Sequence, residues 1–100
     1  MFTYQRLRDE NTEYAGTGGV SQNNHDARFL PAFRDEDGRV EVARLENGEI
    51  APMHLLCGLP DAWVTGRDGE GRVTAIRDDI VAGFVRDDVF YTREQAAAIA

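Results

Sequence analysis

Between Arg28 and Tyr91 the apolar residues fall in short runs, and each run ends at an acidic or glycine-bearing turn. Arg28-Phe29-Leu30-Pro31-Ala32-Phe33 leads into Asp35-Glu36-Asp37-Gly38, and Asp-Gly between apolar runs is a strong hairpin signal. Val40, Val42 and Leu45 mark the next strand. Glu46-Asn47-Gly48-Glu49 is a second hairpin signal, with Asn-Gly suited to a type I′ turn. Ile50 to Leu56 reads as the return strand, pushed towards an edge or bulge by Pro52, which has no N–H to give a ladder. Leu59-Pro60-Asp61-Ala62-Trp63-Val64 reads as one helical turn or a tight bend, with Pro60 in a first-turn position. Turns at Arg67–Gly71, Arg77–Asp79 and Arg86–Asp88 then separate Arg72–Ile76, Ile80–Val85 and Val89–Tyr91 as three further strands.

The two ends differ from this middle. Phe2 to Leu7 alternates in a way that predicts an N-terminal strand. Residues 9–27 are polar and glycine-rich, holding Gly16, Gly18, Gly19, Asn23 and Asn24, and predict a long loop of the kind that often carries function. At the other end Thr92 and Gln95 have capping-box spacing ahead of an alanine-rich tail, which predicts a short helix that must dock to persist. Residues 34–44 (RDEDGRVEVAR) and 67–77 (RDGEGRVTAIR) echo one another. The same hairpin chemistry arrived at twice accounts for this, because acidic glycine turns flanked by Arg and Val are a common way to write a hairpin.

The predicted fold is mainly β, with α+β as the neighbouring class. It is an antiparallel β-meander of about six or seven short strands with turns every ten residues or so. Such a meander forms a curled sheet, roll or open barrel, with a short C-terminal helix on one side or end. One hundred residues are room for one domain, 1–100.

Charge narrows the functional classes. Eighteen acidic residues face 11 basic ones, all of them Arg, for a net charge of -7. The all-Arg set fits a GC-rich, bacterial genome. Phosphate neutralisation needs a basic stripe, and these arginines are dispersed among carboxylates, so direct nucleic-acid binding and anionic membranes are disfavoured. An acidic chain can still meet a basic protein partner. The lone Cys57 excludes an intramolecular disulfide and fits a reducing, cytoplasmic setting. No window approaches the ~20 apolar residues of a membrane span.

Candidate chemistry is sparse. Ser21, His25 and Asp26 share the glycine-rich loop, but a triad needs a rigid scaffold to bring its members together. His54 and Cys57 have H-x-x-C spacing, yet zinc takes four ligands and an extended chain would aim these two apart. Asp35-Glu36-Asp37-Gly38 resembles the opening of a calcium loop but puts Arg39 where an oxygen ligand belongs. Gly16–Ser21 lacks the Lys of a phosphate loop. Paired carboxylates such as Asp78-Asp79 and Asp87-Asp88 read as solvated turns.

These features predict no cofactor, no metal and no catalytic residue. The expected function is a small non-catalytic interaction or regulatory module, with an acidic inhibitor of a basic partner as one form and a homodimer through exposed edges as a further expectation. The alternative is a small-ligand-binding domain or minor enzyme using residues 16–26 with His25 and His54. Tyr14, Asn23, Asn24, His25 and Trp63 are the candidate binding residues, and His54 and Cys57 the candidate metal ligands. The alternative requires His25, His54 and Cys57 to converge in one concave pocket.

Overall fold

The computed structural model describes residues 2–17, 19 and 28–99. Phe2–Thr3 forms strand β1, and the chain then turns directly into helix α1, Tyr4–Glu13. This corrects the strand expected over Phe2–Leu7, and it places Asp9–Glu13 of the expected loop in a helix. The alternation that suggested a strand is equally one helical turn: Phe2 and Leu7 are both buried, while Gln5 and Arg8 face water. Thr3 is extended and its Oγ1 accepts from the Arg6 N–H, which starts the helix.

The middle of the chain is antiparallel strand: β2 Leu30–Arg34, β3 Val40–Val42, β4 Val64–Arg67, β5 Val73–Ile76, β6 Val81–Arg86 and β7 Val89–Thr92, all where strands were expected except β4, which takes Val64 from the expected bend and Arg67 from the expected turn. Among the described residues they form two sheets that do not close into a barrel, one ordered β1-β5-β4 and the other β3-β2-β6-β7. The short C-terminal helix, α2 (Arg93–Ile99), follows β7 at once. Its capping box is reciprocal: Thr92 Oγ1 accepts from the Gln95 N–H at 3.1 Å, and Gln95 Oε1 accepts from the Thr92 N–H at 2.9 Å.

The sequence echo is a shared turn. Asp35 Oδ1 accepts from the N–H groups of Asp37 and Arg39, and Asp68 Oδ1 accepts from those of Glu70 and Arg72. In each turn one glycine, Gly38 or Gly71, takes a positive φ that a side chain would resist. Glu46-Asn47-Gly48 closes in the same three-residue form, through Leu45 N–H to Glu49 O, and not as the type I′ turn expected from Asn-Gly. The two-residue turn with both φ positive falls instead at Asp87-Asp88, where Asp tolerates the left-handed region. Ile50–Leu56 is not a strand. Only Ile50 bridges back, to Arg44, with the Ala51 N–H donating to Ala43 O, and the pairing stops at Pro52.

Register fixes which side of the four-stranded sheet is the core. Phe33, Ala82 and Phe84 share one face, and they join Phe2, Leu7, Leu56, Trp63 and Ile76 from the rest of the chain or the smaller Phe29–Phe84–Ala96 cluster under α2. Pro60 and the short 3-10 helix Asp61–Trp63 turn Trp63 into the main cluster, as the expected first-turn bend requires.

Candidate functional site

An open cleft of about 720 Å³ lies between two hairpin turns. Tyr4 at the start of α1, Leu45 after β3, Leu55 and Cys57 from the irregular segment, and Val73 and Thr74 of β5 line it. Glu46 and Asn47 stand at one rim, Asp68 and Arg72 at the other. The Leu56 N–H donates to Tyr4 Oη at 3.0 Å, which pins the phenol ring as a wall. Most polar lining groups are already satisfied. Asp68 caps its own turn and pairs with Arg72, which also pairs with Glu70. Those backbone N–H donors hold the Asp68 carboxyl below its ordinary value. The Cys57 thiol donates to Arg44 O at 3.5 Å. What remains in the cleft is aliphatic and aromatic surface of a size that suits a small ligand.

A second group of polar residues is buried elsewhere. Arg93, the first residue of α2, is 2% exposed. Its Nη1 donates to Asn11 Oδ1 at 2.8 Å and to Gly19 O at 3.0 Å, and its Nη2 lies 3.3 Å from His54 Nδ1. Arg93 Nε sits 3.1 Å from Glu10 Oε1, a close ion pair whose angle falls short of a hydrogen bond. Glu10 is shared with Arg6 across one turn of α1. His54 Nε2 is 2.7 Å from Gly83 O, and its ring meets Phe33 and Phe84 edge-on. Burial, and secondarily the Arg93 charge, push the His54 pKa down to about 3. The ring is therefore neutral at pH 7. We assign Nε2 as the donor to Gly83 O and Nδ1 as the acceptor from Arg93, the only tautomer that serves both contacts. This arrangement fastens both helices to the sheet. Its imidazole, with a pKa of about 3, is not a base that titrates near neutrality.

The candidate residues are thus dispersed. Trp63 is core. Tyr14 caps α1 and borders a smaller cavity of about 260 Å³ with Glu10, Glu13, Arg93 and Glu94; burial, then the Glu13, Glu94 and Glu10 carboxylates, raise its pKa. His54 lies in the buried network and Cys57 in the cleft, so these two do not converge. Asn23, Asn24 and His25, with Ser21 and Asp26, lie outside the described residues. Among the described residues no group of three His, Cys, Asp or Glu side chains is disposed to hold a metal, and no helix is long and apolar enough to cross a membrane. The cleft residues carry no motif. They come from four separate stretches, and each alone reads as ordinary strand or loop.

No family model, curated protein or solved structure matches this chain.

Proposed function

We propose that the chain is a non-catalytic interaction module whose recognition element is the cleft between the Glu46-Asn47 and Asp68–Arg72 turns, and that it takes a small, largely apolar ligand. One observation carries this reading: a ligand-sized hollow walled by Tyr4, Leu45, Leu55 and Val73, in which the rim charges Asp68 and Arg72 are already committed to their own turn. Burying apolar surface there is worth roughly 25 cal/mol per Å². The test is a proton–nitrogen correlation NMR titration with 1-hexanol as the probe. Saturable shifts at Leu45, Leu55, Val73 and Thr74, reduced by Leu55→Glu, support the cleft. Shifts spread over the whole surface, or concentrated elsewhere, refute it.

The acidic-inhibitor form of the same reading rests on a different feature. Asp79 Oδ2 accepts from the Glu36 N–H at 3.1 Å, which sets the acidic turns Asp35–Gly38 and Asp78–Asp79 side by side at one end of the sheet. Titration against a strongly basic protein at low salt tests it. Binding that vanishes when Glu36 and Asp37 become Gln and Asn supports it, and no binding removes it.

A further inference from the structure

The cleft has apolar walls and a charged mouth, and the charges at the mouth do not balance. Glu46 stands on one rim, Asp68 and Arg72 on the other. Arg72 is the one cation among the described residues that line the cleft. Its charge is shared within its own turn: Nε lies 3.3 Å from Asp68 Oδ2, and Nη2 pairs with Glu70. Two carboxylates thus already claim that guanidinium. Asp68 is held in place as well, because its Oδ1 accepts from the Glu70 and Arg72 N–H groups.

Glu46 is different. Among the described residues its carboxylate has no ion pair and no hydrogen bond. The other polar groups of its turn close the turn itself. Arg44 Nη1 donates to Gly48 O at 2.8 Å, and Arg44 does not line the cleft. Asn47 Oδ1 accepts from the Glu49 N–H at 3.0 Å. One exposed, uncommitted carboxylate is therefore left at the mouth of an apolar hollow. Three carboxylates, Glu46, Asp68 and Glu70, stand there against a single arginine.

We infer that the ligand of this cleft is a primary amine of the alkyl or arylalkyl class, its ammonium at Glu46 and its hydrocarbon body against Tyr4, Leu45, Leu55 and Val73. The inference rests on the cleft being the recognition element, as proposed above. An alkyl amine, like a lysine side chain, is charged at pH 7 and offers three donors from one compact centre. The walls select against a polyamine, which would have to lay further charges along apolar surface. The mouth selects against a fatty acid, whose carboxylate would meet Glu46 and find Arg72 already paired. Burial of the hydrocarbon supplies the affinity, and the charge chooses among ligands of equal length. An exposed ion pair contributes modestly, about a two- to fivefold gain in affinity over the uncharged analogue. Against the anion the discrimination is larger, since attraction is replaced by repulsion.

The experiment is a proton–nitrogen correlation NMR titration of the intact chain at pH 7 with hexylammonium, 1-hexanol and hexanoate, in low and high salt. The amides of Leu45, Leu55, Val73 and Thr74 are followed. Hexylammonium is expected to bind about two- to fivefold more tightly than hexanol and roughly tenfold or more above hexanoate, and the three should converge in high salt. Glu46→Gln should abolish the preference for hexylammonium over hexanol. Glu49→Gln makes the same change in net charge in the same turn, at a residue that does not line the cleft, and should keep that preference. Cleft binding with equal affinity for the three ligands, or a preference that survives Glu46→Gln, overturns this inference and leaves the cleft an apolar site. Shifts that avoid the cleft with all three ligands overturn the cleft reading and this inference together.

Discussion

Lowering the pH should unfold this chain through His54 before it unfolds it through the carboxylates. The imidazole is buried against Phe33 and Phe84, and of its two hydrogen-bond neighbours, Gly83 O and Arg93, the second is a cation. Its folded pKa of about 3 lies below the ordinary 6.5. Between those two values the unfolded chain binds a proton that the folded chain refuses. Stability attributable to this group is therefore complete above about pH 6.5 and declines as pH falls towards 3. The linkage slope is about 1.4 kcal/mol per pH unit, so about 2 kcal/mol is lost by pH 5. For a chain with a total stability of roughly 5–15 kcal/mol this is a large fraction. The assay is urea unfolding at pH 7, 6, 5.5 and 5, on the parent and on His54→Gln. The variant loses the titration, and with it the slope, while the difference between the two proteins cancels His25 and every carboxylate. Parallel curves for the two proteins over this range would refute the reasoning. So would an imidazole nitrogen spectrum that shows His54 charged at pH 5 in the folded chain.

Arg93→Ala should cost about 3 kcal/mol, because it removes charged donors from Asn11, Gly19 and His54 and leaves Glu10 to its pair with Arg6; urea unfolding of Arg93→Ala, Glu10→Gln and the double variant should show coupling. Gly83→Ala should destabilise by about 1–3 kcal/mol, read as a drop in melting temperature, since its Cβ would stand 2.3 Å from Tyr91 O and 2.5 Å from Phe90 Cζ. Asp35→Ala and Asp68→Ala delete the same turn chemistry in the two echoing hairpins. The loss should be the greater at Asp35, which is 6% exposed, where the N–H groups of Asp37 and Arg39 lose a partly buried acceptor; equal losses in thermal unfolding would contradict the role given to burial.

The sequence by itself determined most of the strands between Leu30 and Thr92, though not Val64–Arg67 or the fate of Ile50–Leu56, and the helix after them, because those signals are local. Period-two apolar runs, acidic glycine turns and the Thr92–Gln95 capping box each act within a few residues, and the structure contains them. It also determined the acid balance and the dispersal of the arginines. Where a short stretch fits two periods, as at Phe2–Leu7, local pattern was ambiguous, and packing of Phe2 and Leu7 into one core decided for a helix. Asn47-Gly48 carried a turn signal whose type the neighbouring Leu45–Glu49 pairing set. The cleft was invisible along the chain because its walls are distant in sequence and chemically plain. His54 looked like a metal ligand beside Cys57 until the fold turned it inward, 39 positions from the arginine that now faces it. Local backbone preference is written in neighbouring residues, whereas burial, charge environment and shared faces depend on which distant segments the tertiary fold brings together.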